Sequence, residues 1–129
     1  MSGPATPCPC GGGTYAACCG RWHDGPMRGA APDAERLMRS RYSAYVLGLE
    51  RYLLDTWHPS TRPAGLALDP AGTKWLGLEI RSRQQIDATQ AKVEFVARSR
   101  VAGRGQRLHE TSRFVLEGGR WYYVDGAVC

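Results

Sequence analysis

A chain of 129 residues, 43% hydrophobic and 22% charged, has the make-up of one globular domain with room for a small appendage, which excludes a fibrous or wholly disordered protein. The net charge is +5, and fifteen of the seventeen basic residues are arginines, Lys74 and Lys92 being the lysines. Most arginines stand singly between apolar or acidic residues; only "ERLMRSRY" (Arg36, Arg39, Arg41) gathers them, so the sequence lacks the concentrated cationic face that phosphate binding collects.

The chain opens with "MSGPATPCPC", which has neither the basic start nor the apolar run of a secretory signal, and no later window is apolar for the length of a membrane span. The expectation is a cytoplasmic protein without a membrane partner. Four of the five cysteines then fall in "CPCGGGTYAACCG", Cys8 to Gly20, and the fifth is Cys129. A reducing compartment and an odd cysteine count disfavour disulfides, adjacent Cys18 and Cys19 would bridge only under strain, and no Cys-x-x-Cys redox pair occurs. What remains is a tetrathiolate metal site with Cys8 and Cys10 on one limb and Cys18 and Cys19 on the other, or else four unrelated thiols. Gly11, Gly12 and Gly13 let the chain fold back between the limbs. Zinc suits four soft thiolates in a closed tetrahedron, and two ligands adjacent in sequence fit one metal better than an iron–sulfur cluster. In a segment this short the metal would replace a hydrophobic core.

"GRWHDGPMRGAAPDAE" reads as a linker ending in helix-start signals, with Asp33 placed to cap and Glu35 in the first turn. In "AERLMRSRYSAYVLG", Leu37, Met38, Tyr42, Tyr45, Val46 and Leu49 recur at helical steps, and Gly48 ends or bends the helix. A short second helix, "ERYLLDTW", stops at Pro59, and residues 60–71 read as loop. From Thr73 the period changes: "KWLGLEI", "AKVEFVARSRV", "RLHETSRFVLE" and "RWYYVD" read as strands punctuated by Gly103, Gly105 and the hairpin pair Gly118-Gly119. Helices followed by an antiparallel meander predict an α+β domain with the helices on one face of a curved sheet. The organisation read from the chain is a knuckle over 1–22, a linker over 23–32 and a domain over 33–129. With that linker between them the two cores are expected to be separate, so that Cys8→Ser would unfold the knuckle alone.

The segments "CPCG…CCG", "LMRSRYSAYVLG", "YLLDTWHPSTRP", "WLGLEI", "VEFVARSR", "LHETSRF" and "GRWYYVDG" resemble the bacterial YchJ-like family over nearly the whole chain. The opening cluster is similar to the SEC-C zinc motif. The resemblance implies that Cys18 and Cys19 are the third and fourth ligands, Cys19 standing where many such motifs carry histidine. It also implies a cystatin-like cone of the nuclear transport factor two superfamily, and with it a pocket between sheet and helices. It supplies no activity.

Candidate pocket residues come from the strands and helices. Alternation puts Glu110, Ser112, Phe114 and Leu116 on one strand face and His109, Thr111, Arg113 and Val115 on the other, so His109 and Glu110 cannot share a pocket with His58 as an acid/base set. An inward Glu110 needs a partner, for which Arg39 and Arg41 are the candidates. Trp57, Trp75, Trp121, Tyr42 and Tyr45 serve as core aromatics or stack a ligand at the cone mouth. His58, beside Pro59, is placed to cap the last helical carbonyls. No phosphate loop, dinucleotide fingerprint or Ser-His-Asp order is present. Three functions stay open: a binding module that engages a protein or small ligand through knuckle and pocket; a small-molecule enzyme built around Glu110 and an arginine; and a nucleic-acid or ribosome binder.

Overall fold

The computed structural model describes residues 6–68 and 72–128. After the cysteine-bearing N-terminal segment come three helices, α1 (Gly20–His23), α2 (Ala34–Leu47) and α3 (Glu50–Asp55), then four strands, β1 (Thr73–Asp87), β2 (Gln90–Val101), β3 (Arg104–Glu117) and β4 (Arg120–Val128). The expected α+β order is therefore what the chain adopts.

Helix α2 begins where the capping signals place it. Asp33 is extended at φ −150°, and its carboxylate accepts the Arg36 amide at 2.7 Å. At the other end Gly48 takes the left-handed conformation (φ 72°), which closes the helix at little steric cost. An Asp33→Ala chain should lose about 1 kcal/mol of stability, read as a lower urea midpoint at unchanged slope.

The strands form one antiparallel meander in the order β1-β2-β3-β4. Two of its hairpins turn on pairs of residues with positive φ, Ala102-Gly103 and Gly118-Gly119, as right-handed strand twist favours. The edge strand β1 is irregular, with register shifts between Trp75 and Gly77, Ile80 and Ser82, and Gln85 and Asp87. At the opposite edge the segment after α3 runs parallel to β4: the Tyr123 amide donates to the Thr56 carbonyl (2.9 Å) and the His58 amide to the Tyr123 carbonyl (2.8 Å).

Helix α2 is buried on two sides. Met38 and Tyr42 face the sheet, whereas Ser40 and Ser43, both fully buried, let the N-terminal segment come close on the other side. Cys8, Cys10, Cys19 and Trp22 consequently belong to the same buried cluster as Leu37, Tyr42, Leu53 and Phe114. The separation of cores expected from the Gly/Pro-rich linker is thus corrected: small side chains on α2 allow the knuckle to share the main core.

Candidate metal centre and pocket

The N-terminal segment is a tight hairpin. Pro7 and Thr14 pair across it, the Cys8 amide donates to the Gly13 carbonyl at 2.8 Å, and the Gly11 amide closes a turn on the Cys8 carbonyl at 3.0 Å. A 3-10 turn at Tyr15–Ala17 then delivers Cys18 and Cys19 to the start of α1, where the Trp22 and His23 amides bond back to the Cys19 carbonyl. All four predicted cysteines are brought together, their sulfurs lying within 4.8 Å of one another. A tetrahedron with metal–sulfur bonds of about 2.3 Å has sulfur–sulfur edges of about 3.8 Å, and the Cys10 and Cys18 sulfurs are 3.5 Å apart. The donor set therefore fits one tetrahedral metal ion.

Electrostatics point the same way. Hydrogen bonding with Cys10, then Cys19, drives the Cys8 thiol far below the ordinary thiol range. Burial pushes Cys18 up to about 11, and hydrogen bonding with Cys10 pushes Cys19 up. Four thiolates this close cannot all ionise without a cation between them; a divalent ion removes that conflict.

The surroundings hold the ligands in place. The Ser43 hydroxyl lies 3.5 Å from the Cys8 sulfur, and Arg39 donates from Nη1 to the Cys10 carbonyl at 3.2 Å. Glu35 braces that arginine by accepting from its Nε at 2.9 Å, and also accepts from Arg83 on β1. Burial would raise the Glu35 carboxyl, but Arg39 and Arg83 outweigh it and hold it below the usual range. A side chain at Gly12 would bring its Cβ to 3.0 Å from the Cys18 sulfur and 3.2 Å from that of Cys10. A Gly12→Ala chain should accordingly release its metal to a chelator at a competitor concentration about tenfold or more lower than the parent.

A second site lies between α2 and the sheet, a cavity of 410 Å³. Arg41, Tyr42 and Tyr45 reach it from α2, Trp75 from β1, and Glu110 and Ser112 from β3. Those six were expected there; Arg39, Trp57, His58 and Trp121 were also expected and do not line it. Arg39 serves the cysteine hairpin instead. Trp57 packs edge-on against Tyr123 and donates from Nε1 to the Thr61 hydroxyl. His58 does not cap α3: its ring binds Ser60 through Nδ1 and Glu117 through Nε2, at 2.7 and 2.9 Å. Trp121 is buried in the core. His109 lies on the other strand face, bonded to Glu94 at 2.6 Å, so the histidines and Glu110 form no common set.

The expected Arg–Glu link is not made either. Arg41, 3% exposed, donates from Nη1 to the Leu53 carbonyl and the Thr56 hydroxyl, both at 2.8 Å, and its guanidinium sits 4.5 Å from the Tyr123 ring centre and 5.1 Å from that of Trp57. The C-terminal end of α3 supplies the neutral acceptors that Arg41 takes in place of a carboxylate. Burial pulls the Arg41 pKa down, but a guanidinium keeps its charge in a protein. Glu110 accepts from the Ser112 hydroxyl at 2.9 Å and lies flat on Gly126, where any side chain would collide with the carboxylate. Tyr42 stacks edge-on with Trp75, ring centres 5.5 Å apart. Sequence reading missed Tyr123, Phe95 and Leu108 in this lining. Tyr123 was findable by alternation from Trp121, since the two pair in step with Phe114 and Leu116 and the register shift of β4 comes only after Tyr123.

Cone, pocket and cysteine hairpin together define an NTF2-like domain carrying a SEC-C-like N-terminal segment. The model of the YchJ middle NTF2-like domain matches residues 33–126, which is most of the chain. Relatives extend the match to the N-terminus: a UPF0225 protein of Bordetella pertussis is 61% identical over 128 residues, covering 97% of this chain and 96% of that one. A UPF0225 protein of Chromobacterium violaceum is 61% identical over 125 residues, covering 94% and 92%. The chain belongs to this YchJ-like, UPF0225 family. Among solved structures it resembles a SEC-C motif containing protein from Rhodopseudomonas palustris, with a TM-score of 0.82 and 35% identity over 96% of this chain and 99% of that one. It is also similar to a SEC-C motif containing protein from Psychrobacter arcticus, with a TM-score of 0.79 and 31% identity over 100% and 86%. No helix among the described residues is long and apolar enough to cross a membrane.

Proposed function

We propose that the protein is a cytoplasmic binding module in which a structural zinc ion, held by Cys8, Cys10, Cys18 and Cys19, fixes the N-terminal hairpin against α2 while the cone pocket receives a small ligand. The observation that carries this reading is the four-sulfur set itself, closed on all sides by protein donors that fit one tetrahedral ion and leave no position for a substrate. Its partner α2 presents Arg41, Tyr42 and Tyr45 to the cavity, so the metal supports the wall of the pocket from behind. Binding is favoured over catalysis because both candidate histidines are engaged outside the cavity and Arg41 is not paired with Glu110.

Elemental analysis of protein purified under reductant and without chelator tests the reading. About one zinc per chain, with four thiols that become reactive only when the metal is chelated, is the expected result. Five freely reactive thiols and no metal would remove it.

A further inference from the structure

The cavity contains a charge that the fold leaves without a counter-ion. Arg41 is almost fully buried, yet among the described residues no carboxylate forms an ion pair with it. Nη1 donates to two neutral oxygens, and the remaining hydrogen-bonding neighbour, the Tyr45 side chain, is neutral as well. Aromatic faces cover it on two sides, and the Tyr45 side chain is the polar neighbour that shares the cavity wall with it. Burial of a charge is costly unless it is paired, and a guanidinium cannot escape that cost by shedding its proton. The edge of the guanidinium turned away from Leu53 and Thr56, beside the Tyr45 hydroxyl, has the donors that receive a planar carboxylate.

The rest of the lining restricts what carries that carboxylate. Trp75, Phe95 and Leu108 offer apolar and aromatic surface, and Glu110 with Ser112 offers an acceptor and a hydroxyl that form no ion pair with the arginine. A volume of 410 Å³ holds a molecule of one or two rings. We propose that the cavity binds a small amphipathic organic acid, its carboxylate on Arg41 beside Tyr45, its apolar body against Trp75 and Phe95, and a hydrogen-bond donor directed to Glu110. This names the ligand class of the pocket in the binding-module reading and rests on it.

The test uses the metal-loaded full chain, titrated with indole-3-acetate and with its neutral counterpart indole-3-acetamide, and followed by calorimetry and by amide chemical shifts. The acid should bind and perturb Tyr45, Trp75 and Ser112, and the amide should bind at least tenfold more weakly. Arg41→Lys keeps the charge but loses the fork, and should weaken the acid about tenfold while sparing the amide. Because Arg41 also tethers α2 to Leu53 and Thr56, its variants risk unfolding; Tyr45→Phe leaves those bonds intact and should weaken the acid selectively. Glu110→Gln should weaken the binding of both probes without abolishing the preference for the acid. Equal affinity for acid and amide overturns the assignment of an acid while leaving the binding module standing. Shifts confined to exposed arginines such as Arg100 and Arg107 overturn it as surface attraction. No binding of either probe at millimolar concentration overturns this assignment, while the metal half of the binding-module reading is tested separately by the zinc measurement.

Discussion

Cys8→Ser, or removal of the metal by chelator under reductant, should lower the melting of the entire chain in a single transition rather than release a separate knuckle. Cys8, Cys10 and Cys19 are at most 4% exposed and pack in the same cluster as Leu37, Leu53 and Phe114. Losing the ion would leave thiolates against that core and strip α2 of the Arg39 and Ser43 contacts on one side. Apparent folding energies of isolated structural zinc sites run to about 10–16 kcal/mol. Here the shared core also holds sheet residues such as Val93 and Phe95, which the cysteines do not replace, so a drop of about 3–5 kcal/mol is expected, close to the whole margin of an ordinary small domain. Calorimetry with and without chelator checks it: two transitions with the upper one unmoved would show that the cores are independent after all.

Tyr52→Ala should have the next largest effect, a loss of about 3–5 kcal/mol, because it empties the junction of all three helices. Tyr52 is 2% exposed. Its ring meets His23 of α1 edge-on with centres 4.7 Å apart, and its hydroxyl lies 2.7 Å from that of Ser40 on α2. Burial pushes the phenol up to about 12, so it stays protonated and donates to Ser40, whose own proton goes to the Leu37 carbonyl at 2.7 Å. Tyr52→Phe keeps the packing and removes only that donor, so it should cost about 1 kcal/mol. Urea titration of the pair, with metal release followed in parallel, separates the two contributions; equal costs for Phe and Ala would mean that the cavity term is absent and the packing at this junction is not what holds it.

Elements governed by local chemistry were readable in the sequence. Asp33 and Gly48 mark the ends of α2 because a cap and a left-handed residue act within one turn, and Gly118-Gly119 marks its hairpin for the same reason. The cysteine set was legible through spacing alone. The alternation in β3 correctly placed Ser112 and Phe114 inward and Arg113 outward. What was not legible depends on which surfaces meet in space. Residues 81–87 continue β1, although all but Ile86 are polar and the stretch is exposed without alternation, because ladder bonding to β2 rather than burial holds them. Ser40 and Ser43 lie outside the apolar set read from the helix, yet both are buried, and no periodicity says that a cysteine hairpin docks there. Arg39 and Arg41 are two residues apart, so they leave α2 in different directions, one toward the hairpin and one toward the cavity; the sequence offers both as equal partners for Glu110. His58 and Trp57 went to the β4 edge because the segment after α3 pairs with Tyr123, a long-range contact that no local signal announces.

The irregular register of β1 bears on how the molecule behaves when crowded. A flat outer strand of fifteen residues would offer a continuous row of peptide groups to a neighbouring copy, the usual starting point of sheet-to-sheet aggregation. Three interruptions along β1 break that row into short pieces, and Arg81 and Arg83, ion-paired with Glu79 and Glu35, set charged side chains along it. The opposite border is already taken by Thr56 to His58. With one border broken and charged and the other capped from within, the meander ends at four strands and resists growing into a fibril.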